Sequence, residues 1–124
     1  MGQRRVQEGD GWRIGWHEDA PTYPGLLAGA DWAIELTADE FQDFCRLAQQ
    51  LAQQMQAMAD LLMDEETLTC DAESEQVWVE AFGVSDAFAL RFLLQSGRRC
   101  EGAWATLATG QLLRAMDTLL TRPF

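Results

Sequence analysis

Lysine is missing from the sequence altogether, and histidine occurs once, at His17. All nine cations are therefore arginines, set against 20 acidic side chains, for a formal net charge of −11. Affinity for phosphate backbones and anionic membrane surfaces rests on cations displacing counterions, so this balance argues against nucleic acid and membrane as partners. A lone histidine cannot make an all-histidine metal site, and a catalytic triad would need a nucleophile folded in beside it; a solvent-facing or locally hydrogen-bonded role is the plainer reading. Cysteine is also sparse. Cys45, Cys70 and Cys100 stand far apart without paired spacing, each within an apolar pattern, which fits buried thiols in a reducing cytosol rather than a disulfide framework or a metal site. No apolar run is long enough to span a bilayer, and the segment from Met1 to Gln7 is charged where a signal peptide needs an apolar stretch. The expectation is a cytoplasmic protein without metal or cofactor, its 124 residues forming a single domain.

What is present is a strong helical pattern. Phe41, Phe44, Ala48, Leu51, Met55, Met58 and Leu62 recur at steps of three and four and form one stripe. Thr37 and Glu40 make a capping box at its start, and Asp39, Glu40 and Asp43 place negative charge at the positive end of the helix dipole. The pattern predicts a helix running to about Asp64, roughly 40 Å long. A rod that long must lie across a sheet or project against a second copy, which predicts a homodimer.

Elsewhere the period is two. Arg4 to Gln7 reads as a short edge strand, and Trp12, Ile14 and Trp16 alternate with Arg13 and Gly15 in a second. Gly15 leaves room for a ligand or another backbone, or simply for a core side chain. Glu18 to Ala30, with Pro21, Pro24, Gly25 and Gly29, reads as a loop long enough to bind something. Trp32, Ile34 and Leu36 form a strand entering the helix. After the helix, Leu68 to Glu73, Gln76 to Phe82 and Ala87 to Leu94 form a meander, and Gln95 to Gly102 reads as a loop. A second helix is expected from Ala103 to Leu120, with Trp104, Leu107, Leu112, Ala115, Met116 and Leu119 on its apolar side and Gly110 as a possible interruption. The expected fold is α+β: a twisted antiparallel sheet of about five strands, in the order β-β-α-β-β-β-α, with both helices on one face.

Few constellations carry chemistry. Arg98 and Arg99, between Gly97 and Gly102, can aim guanidinium groups at a phosphate or carboxylate, or can pair with acidic side chains within the chain or across a dimer. Cys100 beside them has no adjacent base, so it is not read as a nucleophile. The acidic run Asp64, Glu65, Glu66, continued by Asp71, Glu73 and Glu75, lacks the spacing of a calcium loop and reads as a solvated rim. Of the five tryptophans, Trp12, Trp16 and Trp32 fall on core faces, whereas Trp78 shares a face with Glu80 and is the candidate exposed contact.

Several long words of the sequence resemble a family of small cyanobacterial proteins catalogued as a domain of unknown function. They are GDGWRIGW (Gly9 to Trp16), DWAIELTADEFQDFCRL (Asp31 to Leu47), MDEE (Met63 to Glu66), CDAESE (Cys70 to Glu75) and LRFLLQSGRRCEGAW (Leu90 to Trp104). The resemblance runs from about Val6 to Leu120 and brings no catalytic residue with it. It implies a fold like that of single-stranded DNA-binding transcriptional regulators such as the plant Whirly proteins, an analogy of scaffold and not of function. No basic run interleaved with aromatics accompanies it, and Asp71 and Glu73 occupy exposed strand positions.

The expected function is thus a non-enzymatic protein-interaction or assembly factor of a cyanobacterial cytosol, with Arg98, Arg99 and Trp78 as contact residues for an unidentified protein partner. A single-stranded nucleic-acid-binding regulator is the alternative, opposed by charge. Binding of a small anionic or aromatic ligand is a weaker third.

Overall fold

The computed structural model describes residues 4–61 and 66–121. Its order is β1 (Arg4–Gly9), β2 (Trp12–His17), β3 (Gly25–Gly29), β4 (Ala33–Leu36), α1 (Ala38–Ala57), β5 (Leu68–Glu73), β6 (Val77–Val84), β7 (Ala87–Leu94), β8 (Glu101–Trp104) and α2 (Thr106–Thr121). The fold is α+β, as expected, but it holds two four-stranded antiparallel sheets, β1-β2-β3-β4 and β5-β6-β7-β8, instead of one sheet of about five strands. The chain is a four-strand meander closed by a helix, made twice.

The alternations read from the sequence set each register. Trp12 and Ile14 of β2 are buried while Arg13 is exposed, and Val77, Val79 and Ala81 of β6 are buried opposite Leu90, Phe92 and Leu94 of β7. Short turns join the strands: Ser74 Oγ accepts from the amides of Gln76 at 3.1 Å and Val77 at 3.3 Å between β5 and β6. Gly11 takes φ 77° between β1 and β2, the left-handed region that glycine enters without cost.

Both sequence-predicted loops contain strands. β3 lies inside the segment Glu18 to Ala30, and β8 begins inside Gln95 to Gly102 and takes in Trp104, so the second helix starts at Thr106 and not at Ala103 as its pattern predicts. In each, a glycine lies under an aromatic ring. A Cβ at Gly25 would come within 2.6 Å of Phe41, and one at Gly102 within 2.6 Å of Trp32. These glycines make room for rings and do not turn the chain.

The capping box forms as read: Glu40 N–H donates to Thr37 Oγ1 at 3.2 Å, and Thr37 N–H donates to Glu40 Oε1 at 2.8 Å. The stripe Phe41, Phe44, Ala48, Leu51 and Met55 is fully buried. The helix, however, ends at Ala57 with Met58 as its C-cap, a length of about 30 Å. Met55 is the last buried residue of the stripe, and Asp60 beyond the end lies where the dipole disfavours a carboxylate. Leu62, Asp64 and Glu65 lie outside the described residues.

α2 runs through Gly110 without interruption and buries Ala108, Leu112, Ala115, Met116 and Leu119. Leu107, expected on this face, is 78% exposed; Ala108 holds the core position one turn before Leu112. The helices do not share one face of one sheet. α1 packs on β5 and β6 as well as on β3 and β4, and α2 packs on β7 but also on β1 and β2, so each helix braces the opposite sheet. Where the units meet, the rings of Trp32, Phe44, Phe92 and Trp104 cluster with centroids 5.2–5.8 Å apart. Trp104 Nε1–H donates to Ala28 O at 2.9 Å, tying β8 to β3. Among the described residues, no helix is long and apolar enough to cross a membrane.

Candidate interaction surfaces

Arg98 is held from within the chain. Its Nη2 donates to Glu40 Oε1 at 2.6 Å and to the backbone oxygen of Glu35 at 2.7 Å, and its guanidinium lies 4.8 Å from the centroid of the Tyr23 ring. Ser96 Oγ–H donates to Glu40 Oε2. Glu40 is 1% exposed, and burial alone would raise its carboxyl. Hydrogen bonds from Arg98, Ser96 and the Thr37 amide, together with the Arg98 charge, outweigh that burial and hold the carboxyl below its ordinary range. Burial likewise opposes the charged form of Arg98, and the Glu40 carboxylate reverses the sign and raises it.

Arg99 has a different setting. It is exposed, with φ 55°, and makes no hydrogen bond or ion pair among the described residues. The two neighbouring arginines therefore do not converge on one anion: Arg98 fastens the β7–β8 turn to the start of α1, and Arg99 stands in solvent. Cys100 Sγ donates to Arg98 O at 3.7 Å. Cys45 is buried, and burial pushes its thiol up, whereas Cys70 and Cys100 are half-buried. No group of three or more His, Cys, Asp or Glu residues converges as a metal site among the described residues.

Trp78 stands on the outer face of the second sheet, in a different cluster from Arg98. Its Nε1–H donates to Asp71 Oδ2 at 2.9 Å, and Arg91 lies 5.0 Å from its ring centroid while holding Glu80 Oε1 at 2.7 Å. Pairing of Asp71 with Glu80, Glu80 with Arg91 and Arg91 with Ala103 makes a row across the sheet. One step along, Phe82 is 54% exposed, and its cross-strand partners, Thr69 and Ala89, are small. Two hollows adjoin on this face, one of about 260 Å³ beside Phe82 and Ala89 and one of about 570 Å³ between Trp32, Trp78 and Leu93; Arg91 and Ala103 line both. Both helices contact this sheet through the opposite, buried face. Sequence reading identified Trp78 here and missed Phe82, whose signal was the same: an aromatic on the Glu80 side of β6.

The outer face of the first sheet holds a cleft of about 490 Å³. Gly15, Val6 and Leu26 are register partners on its floor, and Tyr23 from the segment before β3 stands over it. Gly15, His17 and the long connection were each noticed in the sequence; that they adjoin Arg4, Arg13 and Tyr23 follows only from the pairing of β1, β2 and β3.

Residues 7–119 match the model of a family described as a domain of unknown function, DUF1818. A solved structure from the cyanobacterium Prochlorococcus sp. NATL2A, described as a protein with unknown function from the DUF155 family, is similar to this fold with a TM-score of 0.88. The two are 26% identical over 94% of this chain and 98% of that chain. No curated protein matches the chain.

Proposed function

Because the chain belongs to the DUF1818 family, a domain of unknown function, we propose a function from its surface: it is a non-enzymatic interaction factor whose second sheet receives a basic protein surface. One observation carries this reading. The outer face of β5–β8 presents Phe82 on one side of the Glu80–Arg91 pair and Trp78 with Leu93 on the other, and among the described residues no helix covers it. Exposed apolar patches with a polar rim mark contact surfaces, and aromatic and arginine anchors dominate such contacts.

The rim selects the partner. Asp71 and Glu80 lie between Phe82 and Trp78, Glu73 and Glu101 flank Trp78 and Leu93, and Arg91, the nearby cation, is already paired with Glu80. Such a rim repels a phosphate backbone, which opposes the single-stranded DNA reading, and it favours lysine and arginine around an apolar knob. The homodimer expected from an overlong helix loses that support, since α1 ends at Ala57 and its stripe is covered within one chain. A cytosolic setting agrees with three cysteines that form no disulfide.

The experiment places a photo-crosslinking residue at position 82 in the native cell, with position 107, an exposed leucine on α2, as control. The expected result is one basic protein captured at 82, absent at 107, and lost when Glu73→Lys and Glu101→Lys reverse the rim. Capture of nucleic acid, capture of a second copy, or identical products from both positions would overturn the reading.

A further inference from the structure

We infer that the cleft on the outer face of β1–β4 binds a small monocarboxylate with a flat apolar body. The cleft lies on the other sheet from the face discussed above, and the inference does not depend on that face having a protein partner. Its size, about 490 Å³, falls in the range of small-molecule sites. Its floor is apolar for a specific reason. Gly15 lies between Val6 on β1 and Leu26 on β3, and a Cβ there would come within 3.1 Å of Val6 Cγ2 and 3.2 Å of the Arg5 oxygen. Val6 and Leu26 thus close over buried Gly15 into one apolar surface, against which a planar group can rest.

The charges fit one negative group and not two. Arg4 and Arg13 stand on the same face as Gly15 and line the cleft, in a chain whose net charge is −11. Arg13 Nε lies 3.2 Å from Glu8 Oε2, but both side chains are largely exposed, so that pair is worth little and exchanges easily for a ligand carboxylate. Guanidinium groups recognise carboxylates through paired N–H donors. Glu35 lines the cleft on the side of β4, and its carboxylate opposes a second negative charge, which disfavours phosphate and phosphate esters.

One wall is held in place from the core. The Tyr23 ring lies against Arg98, whose guanidinium is fastened to buried Glu40 and to the Glu35 backbone. The segment carrying Tyr23 is tied at its base by His17 N–H to Pro24 O at 2.8 Å and Ala20 N–H to His17 O at 3.0 Å. Tyr23 is thus presented in a fixed pose before any ligand arrives, which lowers the ordering cost of binding. Arg98, singled out in the sequence as a contact residue, serves here as a positioning residue for Tyr23.

The test is a two-dimensional amide NMR titration of the intact chain with benzoate, benzamide and inorganic phosphate. Benzoate is expected to shift the Val6, Gly15 and Leu26 amides saturably with a Kd of about 1 mM, the affinity of a fragment that size. Benzamide should bind about tenfold more weakly, and the Arg4→Gln, Arg13→Gln double variant should weaken benzoate by about tenfold with its spectrum otherwise native. Phosphate should produce no saturable shift at these amides. Absence of saturation by benzoate, equal affinity for benzamide, saturation by phosphate, or an unchanged Kd in the double variant would each overturn the assignment.

Discussion

Glu40 serves two structures with one carboxylate, closing the cap of α1 and receiving Arg98 and Ser96 from the β7–β8 turn. Removing one partner from a buried ion pair leaves the other charge uncompensated, so Arg98→Ala should cost about 3 kcal/mol. The double variant Glu40→Gln, Arg98→Met should cost less than Arg98→Ala alone, because no buried charge is left behind and glutamine still closes the cap. The pH dependence has a definite sign. Glu40's folded-state value lies below the ordinary 4.5, so its contribution is fully present above that pH and is lost as pH falls through the lowered value. Urea melts across the acid range should show this loss in the native chain and a flatter profile in Glu40→Gln. Gly102 supplies the complementary steric case. Its missing Cβ is where the Trp32 ring sits, so Gly102→Ala should destabilise by about 2 kcal/mol and alter the near-UV circular dichroism of the tryptophans.

The opposite outcome is expected within α2. A Cβ at Gly110 would meet only Arg114 Nη1, at 3.7 Å, so Gly110→Ala adds helix propensity without a clash and should raise stability by about 1 kcal/mol in denaturant titration. The contrast between Gly110 and Gly102 explains which elements were legible in the sequence. β2, β6 and β7 alternate cleanly because each turns one face to the core and the other to solvent, and the start of α1 carries its own hydrogen-bond signature in Thr37 and Glu40. β3 and β8 were hidden because glycine normally signals a turn, whereas Gly25 accommodates Phe41 and Gly102 accommodates Trp32, each from elsewhere in the chain. The end of α1 was misplaced because Met58 continues the stripe, yet the covering layer gives out after Met55. Of the candidate contacts, Trp78 was visible from its parity with Glu80. The cleft was not, since Arg4, Arg13 and Tyr23 become neighbours only through strand pairing.

The two strand–helix units are not independent bodies, because each lends its helix to the other. α1, from residues 4–61, covers β5 and β6, and α2, from residues 66–121, covers β1 and β2. Cutting the chain between the units would therefore uncover part of every layer at once: Leu51 and Met55 on one side, Leu112, Met116 and the inner face of β6 on the other. A chain of about 60 residues buries only about 60% of the surface it exposes when unfolded, which leaves little reserve for such a loss. Each half expressed alone should consequently lack native near-UV circular dichroism and dispersed amide resonances, and mixing the two should restore both signals. The intact chain should unfold in one transition, with tryptophan fluorescence and far-UV circular dichroism coinciding. If residues 66–121 alone gave a native spectrum and its own cooperative transition, the interlocking of the units would be only geometric, and the single folding unit inferred from it would fall.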